Sequence, residues 1–236
     1  MVPKGHGLSI HSKIGMTMKQ EINLLSKLPK PKRNVQERGS GKSAQVIAKS
    51  REYGFDYFDG SRDYGYGGFR YDGRWIPIAK DIIAHFGLKA GDRVLDVGCA
   101  KGFLVKDLMN ACPGLEVFGL DISHYALMHC EPEVVGRLHL GSAESLPFPD
   151  GSFDAVIALN TIHNLEKPLV IQALQEIERL APGRGFVQVD SYRTPEEKSL
   201  FETWVLTAKY HDYPQEWLKT FAEAGYTGDY YWTIIE

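Results

Sequence analysis

The chain has 236 residues, a formal net charge of −3 and a pI near 6.3. That length suits one large domain or a domain with an appended arm. The near-neutral balance predicts no general attraction to nucleic acid or anionic membrane. The balance is uneven, however. Residues 1–51 carry 11 Lys/Arg against Glu21 and Glu37, a net of +9, which leaves −12 for the rest. The arm either docks on its own acidic body or binds a polyanion.

The start, MVPKGHGLSIHSKIG, lacks the apolar core of a signal peptide. No apolar run approaches the ~20 residues of a membrane span. Three cysteines with no C-x-x-C pair argue against a disulfide framework or a zinc site. A cytoplasmic location is expected. MKQEINLLSKL can form a short helix, and LPKPKRNVQERGSGKS (28–43) reads as a linker. Ser43 is a plausible N-cap for SAQVIAKSREY. RDYGYGGFRYDGRW (62–75) then packs four glycines, five aromatics and three arginines into fourteen residues. By composition alone it suits a phosphate loop, a nucleic-acid patch or a pocket cover.

From Trp75 the pattern becomes regular. WIPIAKDIIAHFG has helical spacing and stops at Gly87. DRVLDVG, LEVFGLD, RLHLG, FDAVIAL and GFVQVDSY read as strands. KGFLVKDLMNAC, SHYALMHC and PLVIQALQEIERLAPG read as the helices between them. Alternation of this kind predicts an α/β fold, a doubly wound and mostly parallel sheet with helices on both faces. Further on, PEEKSLFETWVLTAKY is ambiguous, because TWVLT is strand-like. PQEWLKTFAEAG reads as a helix and DYYWTIIE as a last strand.

The informative stretch is VLDVGCAKGF (94–103), a strand, an acid, glycines and a helix start. Its glycines fall as Gly98-x-x-x-Gly102, which is not the spacing of a dinucleotide-binding turn. Asp121 ends the next strand, where a carboxylate can accept from two ribose hydroxyls. LPFPDGSFDAV follows Gly141-Ser142-Ala143-Glu144. Together these resemble the motifs of the class I S-adenosylmethionine-dependent methyltransferases, over about residues 75–190. The resemblance implies a Rossmann-like sheet of the seven-stranded type, S-adenosyl-L-methionine as cofactor and S-adenosyl-L-homocysteine as product. The chain has room for only one clear strand after PQEWLKTFAEAG. Either FETWVLT supplies the missing strand or the sheet is shortened.

The resemblance assigns the cofactor to Asp96, Gly98, Cys99, Ala100, Lys101, Gly102, Phe103, Asp121, Ile122, Ser142, Ala143, Glu144, Asn160 and Thr161. Three positions depart from the usual motifs. Ser142 replaces a common Asp, Ala100 a glycine and Lys101 a Thr or Ser. The alanine is expected to be tolerated with negative φ. Lys101 either faces solvent or points at a carboxylate or phosphate. His163 is the candidate base; its other reading is a histidine hydrogen-bonded in the wall. Tyr64, Tyr66, Arg70, Tyr71, Arg74, Asn164 and Tyr192 are the candidate acceptor-binding residues. No metal is expected, since only Asp190 is acidic at the ends of the fourth and fifth strands.

In that family the region before the first helix commonly covers the cofactor, which makes 62–75 a lid. Three parts are expected: a basic arm and linker (1–41), a helical and Gly/Tyr-rich lid segment (42–74) and the cofactor domain (75–236). Residues 193–213 would form an acceptor-pocket insertion. The expected reaction is methyl transfer to O or N of a small polar metabolite, phosphorylated, nucleotide-linked or carbohydrate-related. RNA or protein methylation through the basic arm, and cofactor binding without turnover, are the alternatives. The oligomeric state stays open, a homodimer included.

Overall fold

The computed structural model describes residues 20–29, 33–67 and 69–235. Six strands form one sheet in the order β3-β2-β1-β4-β5-β6, all parallel. They are β1 (Arg93–Val97), β2 (Glu116–Asp121), β3 (Leu138–Leu140), β4 (Ala155–Leu159), β5 (Gly185–Asp190) and β6 (Asp229–Thr233). Nine helices accompany them among the described residues: α1 (Val35–Gly41), α2 (Ala44–Ser50), α3 (Phe55–Phe58), α4 (Ile76–Phe86), α5 (Phe103–Ala111), α6 (His124–Met128), α7 (Lys167–Leu180), α8 (Pro195–Trp204) and α9 (Pro214–Glu223).

Consecutive strand residues serve opposite cores, because side chains alternate across a strand. Val94 and Ile157 pack with α4 and α5 on one face, while Leu95 and Val156 pack with α7 and α9 on the other. Both faces of β1 and β4 are covered, so these strands are largely apolar and buried. The caps follow the sequence. Ser43 accepts from the Val46 amide, and Gly87 ends α4 at φ +62°.

Three expectations change, and one open alternative closes. The stretch 28–43 is not all linker, since Asn34 caps α1 through the Glu37 amide. Two glycines in seven residues hid that helix. Of MKQEINLLSKL, residues 18–19 lie outside the described part. The remainder is no helix: Glu21 bridges Tyr230 in parallel at the outer edge of β6, and Leu24 and Leu25 enter the core. PEEKSLFETW is α8, so FETWVLT supplies no strand. The sheet is therefore the shortened form, with no antiparallel strand among the described residues. Ala100, expected at negative φ, sits at +49°.

Candidate functional site

The strand order reverses between β1 and β4, and their carboxyl ends open onto a cleft of about 1520 Å3. A pocket for one drug-sized ligand spans about 300–1,000 Å3, so the space admits two small molecules side by side. Among the described residues three non-glycines have positive φ, namely Tyr53, Ala100 and Asn160, and all three line this cleft. Backbone strain of this kind concentrates at functional sites.

The first half of the cleft is built by the loop after β1. Gly98 adopts φ +80°, and a Cβ there would lie 2.0 Å from Thr161 Oγ1. Gly102 caps α5 at φ +79°. The turn brings the Ala100 amide 2.8 Å from Asp121 Oδ2, while Asp121 Oδ1 accepts from the Ser123 amide. Holding that contact sets the left-handed geometry of Ala100. Each Asp121 oxygen keeps a further lone pair for a ligand. Burial raises the Asp121 pKa, and the backbone amides oppose that rise.

Asp96 is 4% exposed and faces the cleft. No donor among the described residues reaches its carboxylate. Burial, with Asp121 nearby, pushes its pKa up to about 7. A buried carboxylate without a partner is unfavourable unless a ligand supplies a cation or donors. S-adenosylmethionine carries both an ammonium and a sulfonium, so the acidic half of the cleft fits it. Cys99, Phe103, Ile122, Ser142, Ala143, Asn160 and Thr161 also line the cleft. Lys101, Gly102 and Glu144 do not, although Glu144 accepts from the Ser142 hydroxyl. Burial pushes the Cys99 thiol well above its ordinary pKa, which keeps it protonated and unreactive.

Lys101 is buried and places its ammonium 2.7 Å from both oxygens of Asp59, to which Tyr125 also donates. This pair ties the segment after α3 to the β1 loop. Burial opposes ionisation of Asp59, but the bonds from Lys101 and Tyr125 hold its pKa below the usual carboxylate value. That stabilisation is present above about pH 4 and is lost as pH falls through the lowered value. Lys101→Met should lower stability by roughly 2 kcal/mol in urea unfolding. This is less than a fully buried pair would lose, because Asp59 keeps Tyr125 and some solvent.

The segment 53–69 contributes aromatic side chains. Tyr53, Tyr57, Phe58, Tyr66 and Phe69 line the cleft. The Tyr66 hydroxyl accepts from the Leu206 amide at 2.7 Å and the Thr207 amide at 3.2 Å, which docks Tyr66 on the segment after α8. Ser123 Oγ donates to the Tyr53 carbonyl at 2.6 Å.

His163 is 3% exposed. Its Nδ1 accepts from the Asp190 amide at 2.9 Å, so the neutral ring carries its proton on Nε2, 3.3 Å from Asp190 Oδ2. Neither nitrogen offers a lone pair to the cleft. The base role is therefore corrected to that of a wall histidine. Burial lowers the His163 pKa, with Asp190 opposing. The contribution to stability is thus full above about pH 6.5 and is lost as pH falls. His163→Leu should cost about 1–3 kcal/mol by stranding the Asp190 amide, and should remove that acid dependence in denaturant titrations.

The acceptor-side residues divide. Tyr66, Arg74 and Asn164 line the cleft. Arg74 is already engaged with the carboxylate of Asp72, so it is not a free anion receptor. Arg70 and Tyr71 face a separate hollow of about 300 Å3, and Tyr71 donates to Asp107 at 2.7 Å. Tyr64 lies in a turn that bonds to Ser61 and does not line the cleft. Tyr192 is buried against Phe201 and Tyr213. The sequence reading missed Tyr53, Tyr57, Arg51, Gln188, Thr207 and Lys209, which line the cleft. The aromatic run EYGFDYF was a usable signal for the first two. No group of three or more potential metal ligands occurs among the described residues.

Residues 95–189 match the family model described as "Methyltransferase domain". The chain is 32% identical over 128 residues to a demethylmenaquinone methyltransferase of Symbiobacterium thermophilum, covering 50% of each chain. It is 35% identical over 123 residues to sterol 24-C-methyltransferase ERG6B of Gibberella zeae, covering 48% of this chain and 31% of the relative. The chain thus spans half or less of the length of these curated relatives. The methyltransferase complexed with the Trm112 methyltransferase activator of Haloferax volcanii superposes with a TM-score of 0.52. It is 22% identical and covers 77% of this chain and 74% of that one, a likeness of fold.

Proposed function

We propose that this chain, which belongs to the class I S-adenosylmethionine-dependent methyltransferases, transfers a methyl group from S-adenosylmethionine to a small polar acceptor bound beside it in the cleft. The observation that carries the reading is the unpartnered, buried Asp96 beside the Ala100–Asp121 contact. Asp96 would hold the cationic methionine end, Asp121 the ribose hydroxyls, and the backbone near Ala143 the adenine edge. When bound, the cofactor supplies an electrophilic methyl on a sulfonium. The chain's own residues then align the acceptor and exclude water, and alignment of this kind supplies several kcal/mol. With His163 engaged in the wall, Asp190 is the group left to hold an acceptor proton at the cleft floor.

The same reading takes 1–41 as arm, 42–74 as lid and 75–236 as the cofactor domain, with 193–213 on the acceptor side. Oxygen or nitrogen is the acceptor atom favoured by the polar cleft; carbon, as in the name of the sterol relative, is the competing outcome. Among the described residues, no helix is long and apolar enough to cross a membrane. Calorimetric titration with S-adenosylhomocysteine tests the reading. We expect one site with a micromolar Kd, about −8 kcal/mol. Absence of binding would overturn it.

A further inference from the structure

The cleft is electrostatically two-sided. At the ends of β1 and β2 its charged lining is Asp96 and Asp121. Under the lid and along residues 204–209, Arg51, Arg62 and Lys209 line it, and the acids there are Glu52 and Asp190. Arg51 donates to the Ala208 carbonyl at 3.3 Å, and Arg62 to the Tyr66 carbonyl. These contacts fix both guanidiniums while using one donor of each. The Lys209 ammonium has no ion-pair or hydrogen-bond partner among the described residues. More cations stand behind them. Arg38 stacks on Trp204 at 4.3 Å, and Lys42 donates to the Glu202 carbonyl. Burial lowers the pKa of both, and repulsion from Arg62 and Arg51 respectively adds to it. An anion placed among these groups would relieve that repulsion.

A second feature adjoins them. Tyr53, Tyr57, Tyr66 and Trp204 form one aromatic wall, with successive ring centroids 5.2, 6.2 and 6.2 Å apart. The Tyr57 hydroxyl has no hydrogen-bond partner among the described residues, and it feels the charges of both Asp121 and Asp190. It thus stands between the two halves of the cleft. Burial holds it protonated, so it remains a donor.

We infer that the acceptor is an aromatic molecule bearing a carboxylate or phosphate, with its ring on the Tyr53–Tyr57–Tyr66 wall and its anion at Arg51, Arg62 and Lys209. Guanidinium groups pair with planar oxyanions bidentately, and Lys209 adds a point charge. Arg74, a candidate acceptor-binding residue by sequence, and Lys101 are committed to Asp72 and Asp59. The inference rests on the methyltransferase reading, because it assigns the acidic half to the cofactor.

The test uses the protein saturated with S-adenosylhomocysteine and titrates benzoate, phenyl phosphate and benzyl alcohol by calorimetry. The two anions should bind at least about tenfold tighter than the neutral alcohol, and the gap should narrow in high salt. Arg51→Gln/Lys209→Gln should weaken both anions by about tenfold or more while changing the S-adenosylhomocysteine Kd by less than about twofold. Inorganic phosphate, lacking a ring, should bind more weakly than phenyl phosphate. Equal affinity for benzyl alcohol and benzoate would overturn the inference, as would wild-type anion binding by the double variant. A loss of S-adenosylhomocysteine affinity in the double variant would also overturn it, since the cations would then hold the cofactor's own carboxylate. If S-adenosylhomocysteine does not bind the wild type, the methyltransferase reading fails instead, and the anion titration of the ligand-free protein still decides this inference.

Discussion

Asp96→Asn should make the ligand-free protein more stable at pH 8 while weakening its hold on S-adenosylhomocysteine. The opposing effects share one cause. In the native state the Asp96 carboxyl is buried without a donor and titrates at about 7, against an ordinary value of 3.8. The unfolded chain therefore gives up this proton first as pH rises. Between about pH 4 and pH 7 the native state holds more protons than the unfolded one, so stability falls with rising pH, by up to about 4 kcal/mol in all. Asparagine has the same shape and cannot ionise. The variant should match the wild type near pH 4 and exceed it increasingly up to pH 8 in denaturant titrations. Ligand binding runs the other way. The ligand's ammonium selects the ionised carboxylate, so wild-type affinity should rise as pH climbs through about 7. Asparagine loses the charge-assisted contact, about 1.5–3 kcal/mol, and calorimetry should show a 10- to 100-fold weaker, pH-insensitive Kd. A variant that binds as tightly as the wild type would remove Asp96 from the cofactor site. One that is no more stable at pH 8 would show that an unseen partner satisfies the carboxylate.

What the sequence disclosed and what it hid have a common physical basis. The strands β1, β2, β4 and β5 were legible because burial on both faces demands unbroken apolar runs, as in VLDV and AVIAL. Asp96, Gly98 and Asp121 came to notice through the family motifs they resemble, and the β1 loop and the end of β2 bring them to one cleft. The acceptor half follows different rules. Arg51 meets Ala208 across 157 positions, and Tyr66 meets Leu206 across 140. No periodicity encodes such meetings. Gln20–Ile22 on the edge of β6 is hidden in the same way, because an added edge residue needs only backbone groups. The misassigned Arg74 is the opposite case. Its partner Asp72 stands two residues away, and a local pair was readable from D-G-R. An arginine with an acid so close is a poor candidate for an incoming anion.

Gly98→Ala is the substitution expected to do most damage to the site. Two obstacles act together. The backbone sits at φ +80°, where an L side chain costs about 1–2 kcal/mol. The new methyl would also fall 2.0 Å from Thr161 Oγ1, 2.5 Å from its Cγ2 and 2.7 Å from its Cβ. Thr161 cannot simply rotate away, because its Cβ is one of the clashing atoms and its hydroxyl donates to the Leu159 carbonyl. The loop after β1 must therefore move away from the end of β4. That movement pulls on the Gly98 and Cys99 amides, which bond to the Leu120 carbonyl, and on the Ala100–Asp121 contact beyond them. We expect a stability loss of about 3 kcal/mol or more by urea unfolding and the loss of measurable S-adenosylhomocysteine binding. Gly98→Ala/Thr161→Ala separates the obstacles. It removes the contacts with Oγ1 and Cγ2 but keeps those with Cβ and the φ strain, so it should recover only part of the stability. Full recovery would mean that side-chain overlap alone sets the glycine requirement. No recovery would mean that the left-handed backbone sets it, and that the close approach of the β1 and β4 loops plays no part in shaping the cofactor half of the cleft.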